Sequence, residues 1–193
     1  MPYFFGIKTP LSNIDIVDKI NNIITTLPVE PIPRELIHIT ILYVGKYKIP
    51  NEVIEKIEKD LINIGYVKFK ITDIVDIYPN MSKPRAIVLK VEDIQNRLSK
   101  VRGIIMSRLR EFKIPIEDKY IHTFSPHITI GRIRSKIDML QVRDIVEIVS
   151  ESVRGYSKIV DVDFIELIDS SDGLYRTMRK IFLNPQKQDL DTL

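Results

Sequence analysis

The sequence predicts an α+β chain of two similar lobes related by a pseudo-two-fold axis, each lobe an antiparallel-rich sheet with two helices. Three observations carry that expectation. The order strand–helix–strand–helix–strand runs twice along the 193 residues. The tetrapeptide HITI stands at His38–Ile41 and again at His127–Ile130, on the second strand of each run. Duplication of one unit within a chain builds the same supersecondary piece twice, and the copies then pack on each other. The repeat halves fall at about 2–80 and 84–170 within a single domain spanning 1–183, with 184–193 a polar tail.

The elements follow from local pattern. Residues 2–8 read as a short buried strand. Ser12 or Asn13 can cap the next helix, whose apolar positions Ile16, Ile20, Ile23, Ile24 and Leu27 keep helical spacing. Pro28, Pro31 and Pro33 break the chain. Residues 36–44 alternate, with Ile37, Ile39 and Ile41 on one face and His38, Thr40 and Leu42 on the other. Gly45 ends this strand. Pro50 opens a helix over about 51–64 that stops at Gly65, and residues 66–78 return as a strand. After a turn at 79–84 the order restarts: strand 85–91, helix 93–112, strand 126–133, helix 137–151. Residues 158–169 and 174–183 read as two further strands forming a hairpin at Ser170–Gly173.

Composition narrows the function classes. Hydrophobic residues make up 44% and charged residues 28%, ordinary values for a globular domain. No apolar run approaches the roughly 18 residues of a membrane span, and residues 1–10 lack the pattern of a secretory leader. With 0 Cys, disulfides, thiolate metal sites and cysteine nucleophiles are excluded. A cytoplasmic protein is expected, with a monomer as the default. The net charge of +3 permits an anionic partner but is sparse for a dedicated duplex binder. The wealth of isoleucine, lysine and glutamate is of the kind common in thermophile proteins. Neither a glycine-rich phosphate loop nor a serine nucleophile motif is present.

Two of the 3 histidines, His38 and His127, sit in the repeated tetrapeptide. A single His-x-Thr on a strand would carry no meaning, because such residues are common on sheet surfaces. Two copies at matching positions are a different matter. Residues i and i+2 of a strand project from one face, so each imidazole meets the same ligand as its threonine hydroxyl. Two such pairs supply a base, an acid and two neutral donors around a tetrahedral anion. Metal-free phosphoryl transfer requires that set. With an unperturbed pKa near 6.5, one histidine neutral and one protonated give a bell-shaped pH profile.

The flanking residues RELIHITILYVG at 34–45, SKPRAIVLKV at 82–91 and FSPHITIGRI at 124–133 resemble the 2H phosphoesterase superfamily. The closer match is its RNA 2′,3′-cyclic phosphodiesterase branch, the 2′-5′ RNA ligase-like proteins, over nearly the whole chain. The resemblance implies a bilobal α+β fold with a central cleft. It also implies hydrolysis of RNA 2′,3′-cyclic phosphate ends to 2′-phosphates without a metal or cofactor, with reversible 2′–5′ joining as a side reaction. By position, His38 with Thr40 and His127 with Thr129 form the catalytic pairs, His38 as acid for the 3′-oxygen and His127 as base for water. Tyr43 falls at an aromatic that stacks on the nucleobase, and Arg132 at an arginine near the phosphate or its nucleoside. The family more often has phenylalanine at Tyr43, and Leu-Ala where this chain has Ile130–Gly131. Strict alternation turns Tyr43 and Arg132 away from their histidines, so both roles require a bulge or a strand end to re-aim them.

Other residues are less specific. His122 reads as an exposed loop histidine, Phe124 as a core residue, and Tyr156 and Tyr175 as core or hairpin residues. Arg85 reads as a solvated edge charge. Lys46, Lys48, Lys83, Arg132 and Arg134 form either an electrostatic funnel for RNA or ordinary surface charge. Two alternatives to the leading function stay open. One is a phosphodiesterase on a small nucleotide, such as a cyclic phosphate of ADP-ribose or a 2′–5′ oligonucleotide. The other is a non-catalytic module that binds RNA ends.

Overall fold

The computed structural model describes residues 2–9, 11, 14–133 and 137–184. Ser12 and Asn13, expected as a helix cap, lie outside these residues, as do Arg134 and the tail from 185. The strands are β1 (Tyr3–Ile7), β2 (Glu30–Pro31), β3 (Ile39–Gly45), β4 (Val67–Tyr78), β5 (Ala86–Asp93), β6 (His127–Arg132), β7 (Lys158–Val162), β8 (Phe164–Asp169) and β9 (Arg176–Phe182). The helices are α1 (Ile16–Ile24), α2 (Asn51–Leu61), α3 (Arg97–Glu111) and α4 (Met139–Val153). Each helix lays an apolar stripe on the sheet; α4 buries Val142, Ile145, Val149 and Val153. Asp138 starts α4 with a reciprocal capping box to Gln141, which satisfies two otherwise orphaned backbone N–H groups.

All strands belong to one antiparallel sheet in the order β7-β4-β5-β6-β3-β1-β8-β9, with β2 paired to β6. The sheet divides at its centre, where β3 and β6 share a single bridge, Ile39 to Ile128. On one side β3, β1, β8 and β9 carry α2 and α3; on the other β6, β5, β4 and β7 carry α1 and α4, and α3 reaches across to β4 and β5 as well. These are two four-stranded lobes with two helices each, as the sequence predicts. In space the lobes trade elements. Helix α1 packs on α4, α3 packs on α2 and β3, and β4 crosses to pair with β5. The stretch 158–169, which reads as one strand, is two. It bends at Asp163, so that β7 pairs with β4 in one lobe and β8 pairs with β1 in the other. The hairpin expected near Ser170–Gly173 joins β8 to β9.

The core lies between sheet and helices, with Phe5, Phe69, Ile39, Ile41 and Ile57 fully buried. The opposite face of the two central strands carries the His-x-Thr pairs. Both strands bulge at the same place. Gly6 pairs with Thr40 and Phe5 with Leu42, leaving Ile41 as the extra residue. Val88 pairs with Thr129 and Ile87 with Gly131, leaving Ile130. A bulge inserts one residue and reverses the alternation beyond it. Ile41 and Leu42 are both buried, as are Ile130 and Gly131, and Tyr43 and Arg132 return to the partly exposed face of Thr40 and Thr129. The carbonyl at each extra residue is satisfied from outside the ladder. Arg102 Nη1 donates to Ile41 O at 2.6 Å, and the Ile32 N–H donates to Ile130 O at 3.3 Å.

Gly131 sits in the second bulge against the end of α1. A Cβ there would meet Val29 Cγ1 at 2.6 Å and Ile24 Cδ1 at 3.1 Å. The close approach is to the core side, so the glycine admits the helix end and not a ligand. Replacing Gly131 with Ala is expected to lower the unfolding free energy by about 1–3 kcal/mol through overpacking. Urea denaturation measures this, and an unchanged midpoint would contradict it.

Candidate active site

The bridge between Ile39 and Ile128 sets the register of the two motifs. In an antiparallel pair its neighbours face each other across the strands, so His38 lies opposite Thr129 and Thr40 opposite His127. Directly opposed side chains have Cβ atoms roughly 4.5–5.5 Å apart, and diagonal ones roughly 7–8 Å. The two imidazoles therefore occupy one diagonal of a four-cornered site and the two hydroxyls the other. All four residues are partly exposed.

Both rings are oriented in the same way. His38 Nδ1 is 2.7 Å from Leu36 O, and His127 Nδ1 is 2.8 Å from Ser125 O. A carbonyl only accepts, so each Nδ1 carries the hydrogen and each Nε2 is the nitrogen left to titrate. Aromatic rings hold each imidazole from the side. Phe4 and Tyr175 lie with centroids 5.0 and 4.8 Å from His38, and Tyr78 lies 4.7 Å from His127. Tyr175, read from sequence as core or hairpin, buttresses the first histidine.

The charges around the two rings differ although the strands match. In the first lobe Glu166 is paired with Gly6 across β1 and β8; in the second, Asp76 is paired with Val88 across β4 and β5. The two carboxylates hold equivalent places. Glu166 is 1% exposed and wholly engaged. It accepts from the N–H groups of Lys8 and Thr9 and from the hydroxyls of Thr9 and Thr177 at 2.8–3.0 Å. Asp76 instead forms a 3.0 Å ion pair with Lys90 and lies close enough to His127 to favour its protonated form. Burial pushes His38 down to about 4. The Leu36 carbonyl opposes this shift, and the charges of His127, Arg132 and Lys8 add to it. Burial also lowers His127, but the Ser125 carbonyl and Asp76 oppose it.

A cavity of about 670 Å³ opens beside His127, within the range of small-molecule sites. Thr40, Tyr43, Tyr78, Lys90 and His127 are among its walls. Tyr43 thus shares a cavity with Thr40, and Arg132 is near enough to His38 for its charge to be felt there. His122 is exposed, and Phe124 packs on the core beneath the Arg102 guanidinium at 5.0 Å. Lys48 lines a separate cavity with Tyr3 and Arg179; Lys90, Arg102 and Lys119 line the cavity beside His127, and the charges of Arg132 and Lys8 are felt at His38. Sequence reading missed Lys8 and Arg102. Arg102 carried a signal, because it falls on the apolar stripe of Leu98, Val101, Ile105 and Leu109. It is 6% exposed and also bonds Asp118, Tyr120 O and Ile121 O. It thereby fixes the cavity wall to the β3 bulge. Among the described residues no group of three or more His, Asp or Glu side chains is placed to hold a metal ion, and no helix is long and apolar enough to cross a membrane.

No protein-family model and no curated protein matches the chain by sequence. Solved structures do match it. TT0787 of Thermus thermophilus superposes with a TM-score of 0.66 at 18% identity, covering 95% of this chain and 98% of that one. E. coli LigT complexed with 3′-AMP gives 0.61 at 17%, covering 95% and 99%. The chain has the LigT fold. A structure described as a phosphoesterase gives 0.58 at 17% identity, covering 95% and 98%. The bilobal α+β fold implied by the sequence motifs is therefore the fold observed. In this chain the two lobes are placed so that the duplicated motifs meet at their seam.

The differing surroundings of the rings predict separate titrations. His38 is expected to titrate near pH 4, and His127 below its ordinary 6.5. Replacing Asp76 with Asn removes a charge that favours the imidazolium, so His127 should shift further down while His38 holds. Proton NMR of the two ring Cε1–H signals reads both values. An unmoved His127 would contradict the role given to Asp76.

Proposed function

We propose that this chain is a metal-independent 2H phosphoesterase that hydrolyses RNA 2′,3′-cyclic phosphate ends to 2′-phosphates. The register at Ile39–Ile128 carries this reading, because it brings two imidazoles and two hydroxyls to one face around a common space. The fold shared with LigT, which has been solved with 3′-AMP, supports a nucleotide in that space.

In this scheme His127 Nε2 takes a proton from water as its oxygen attacks phosphorus. The P–O3′ bond breaks, and His38, as imidazolium, gives its Nε2 proton to the departing 3′-oxygen. One water is consumed, and the phosphate remains on the 2′-oxygen. Thr40 and Thr129 donate hydrogen bonds to the non-bridging oxygens. A 5′-hydroxyl in place of water would form a 2′–5′ linkage through the same two proton carriers. Tyr43 stacks on the base, and Arg132 faces the phosphate or its nucleoside.

The resemblance assigns His38 as acid, yet His38 is the ring with the lower proton affinity at rest. The assignment therefore requires the bound phosphate to raise His38, which loses more from burial and neighbouring positive charge than His127 does. Activity needs one proton shared by two depressed imidazoles. The optimum of kcat/KM, which reports the free protein, should thus lie below pH 6.5.

Purified protein in EDTA is expected to open 2′,3′-cyclic nucleotides to 2′-nucleotides. His38→Ala and His127→Ala should each lower kcat by about 10²–10⁴-fold. A substrate with a good leaving group at the 3′ position should rescue His38→Ala and not His127→Ala. The reverse rescue would exchange the two roles. Binding without turnover in the unaltered protein would identify a non-catalytic module, and turnover confined to mononucleotides would identify a small-nucleotide enzyme.

A further inference from the structure

We propose that Glu117 selects the base of the bound nucleotide and that the base it favours is guanine; this rests on the reading of the cleft as a nucleotide site. The cavity beside His127 has Glu117 and Asp118 on its wall together with Tyr43. Asp118 is occupied, since it pairs with Arg102 at 3.0 Å and accepts from the Tyr120 N–H at 2.8 Å. Glu117 is not. Its own N–H donates to Val44 O at 3.0 Å, but its carboxylate has no hydrogen-bond or ion-pair partner among the described residues.

The position of that carboxylate is built into the backbone. Its side chain lies across Gly45, where a Cβ would sit 2.3 Å from Oε2 and 2.6 Å from Cγ. Gly45 also has φ +98°, a conformation that suits glycine. Strand β3 therefore ends in a residue without a side chain, and Glu117 fills the place two positions beyond Tyr43. The charge is felt at the Tyr43 hydroxyl, whose proton it helps to hold after the larger effect of burial.

Glu117 is exposed on the cavity wall, so its unpaired carboxylate is free to meet a part of the ligand that donates hydrogens. Beside the stacking ring that part is the base. Stacking on an aromatic face is tolerant of base identity, so selection falls to the edge. Guanine presents two adjacent donors, N1–H and the N2 amino group, that match the two oxygens of a carboxylate in a charge-assisted pair. Adenine and cytosine set one amino donor beside a ring-nitrogen acceptor. Uracil sets its N3–H between two carbonyl oxygens. Each of these three brings an acceptor against the negative charge, whereas the Watson–Crick edge of guanine brings an acceptor only at O6, away from the paired donors.

Calorimetric titration of the full chain with 3′-GMP, 3′-AMP, 3′-CMP and 3′-UMP at pH 7 tests the proposal without relying on turnover. The 3′-GMP complex is expected to be tighter than the others by about tenfold or more. Glu117→Gln keeps the shape of the side chain over Gly45 and should remove most of that margin by weakening 3′-GMP alone. Equal affinities in the unaltered protein, or a Glu117→Gln variant that weakens all four alike, would overturn the base selection and leave the phosphoesterase reading standing. Failure of all four to bind would overturn the nucleotide site and the selection with it.

Discussion

The contact on which the rest of the structure depends is the single bridge between Ile39 and Ile128. Two lobes could meet in other registers along β3 and β6. Those registers would not bring His38 opposite Thr129 and Thr40 opposite His127. A one-residue slip would turn one whole motif into the core, since the side-chain period of a strand is two. Burial of the flanking isoleucines makes that slip costly, as Ile39, Ile41, Ile128 and Ile130 are all at most 2% exposed. The hydrophobic effect thereby fixes the polar geometry: the isoleucines of HITI hold the register and leave the histidine and threonine to the cleft.

The two halves are alike in backbone and unlike in charge. Paired bulges at Ile41 and Ile130 re-aim Tyr43 and Arg132 in the same manner, and Glu166 and Asp76 occupy equivalent places two strands out from each motif. Glu166 is enclosed by backbone and hydroxyl donors and braces the segment that carries Lys8. Asp76 remains near His127 and shares its charge with Lys90. A symmetric scaffold thus holds two imidazoles in different electrostatic surroundings. The protein departs from its own repeat in the charges beside the two rings.

Much of the fold was legible because periodicity reports burial. The helices α2, α3 and α4 fall within a few residues of their predicted places, and the duplicated tetrapeptide announced the two lobes. The exchange of elements between lobes was not legible. Nothing local marks α1 as belonging with α4, or Asp163 as the point where one apparent strand divides between two lobes. The four candidate catalytic residues were readable because chemistry and repetition coincide at His38, Thr40, His127 and Thr129. The bulges were foreseen only as a requirement, since an extra residue in a ladder leaves no sequence mark except Gly131. Lys8 gave no sign, because its nearness to His38 follows from pairing between β1 and β3. Glu117 was silent too, as its seat is the space left by the missing side chain of Gly45.

The central claim is that His38 and His127 act on one phosphorus through their Nε2 atoms. A crystal structure of the protein with a nucleoside vanadate in place of the phosphoryl centre tests it most directly. The account predicts a single vanadium between the rings, with both Nε2 atoms about 2.6–3.2 Å from its opposed oxygens and both threonine hydroxyls on the remaining ones. Vanadium held by one imidazole alone, or bound at two separate places, would contradict it.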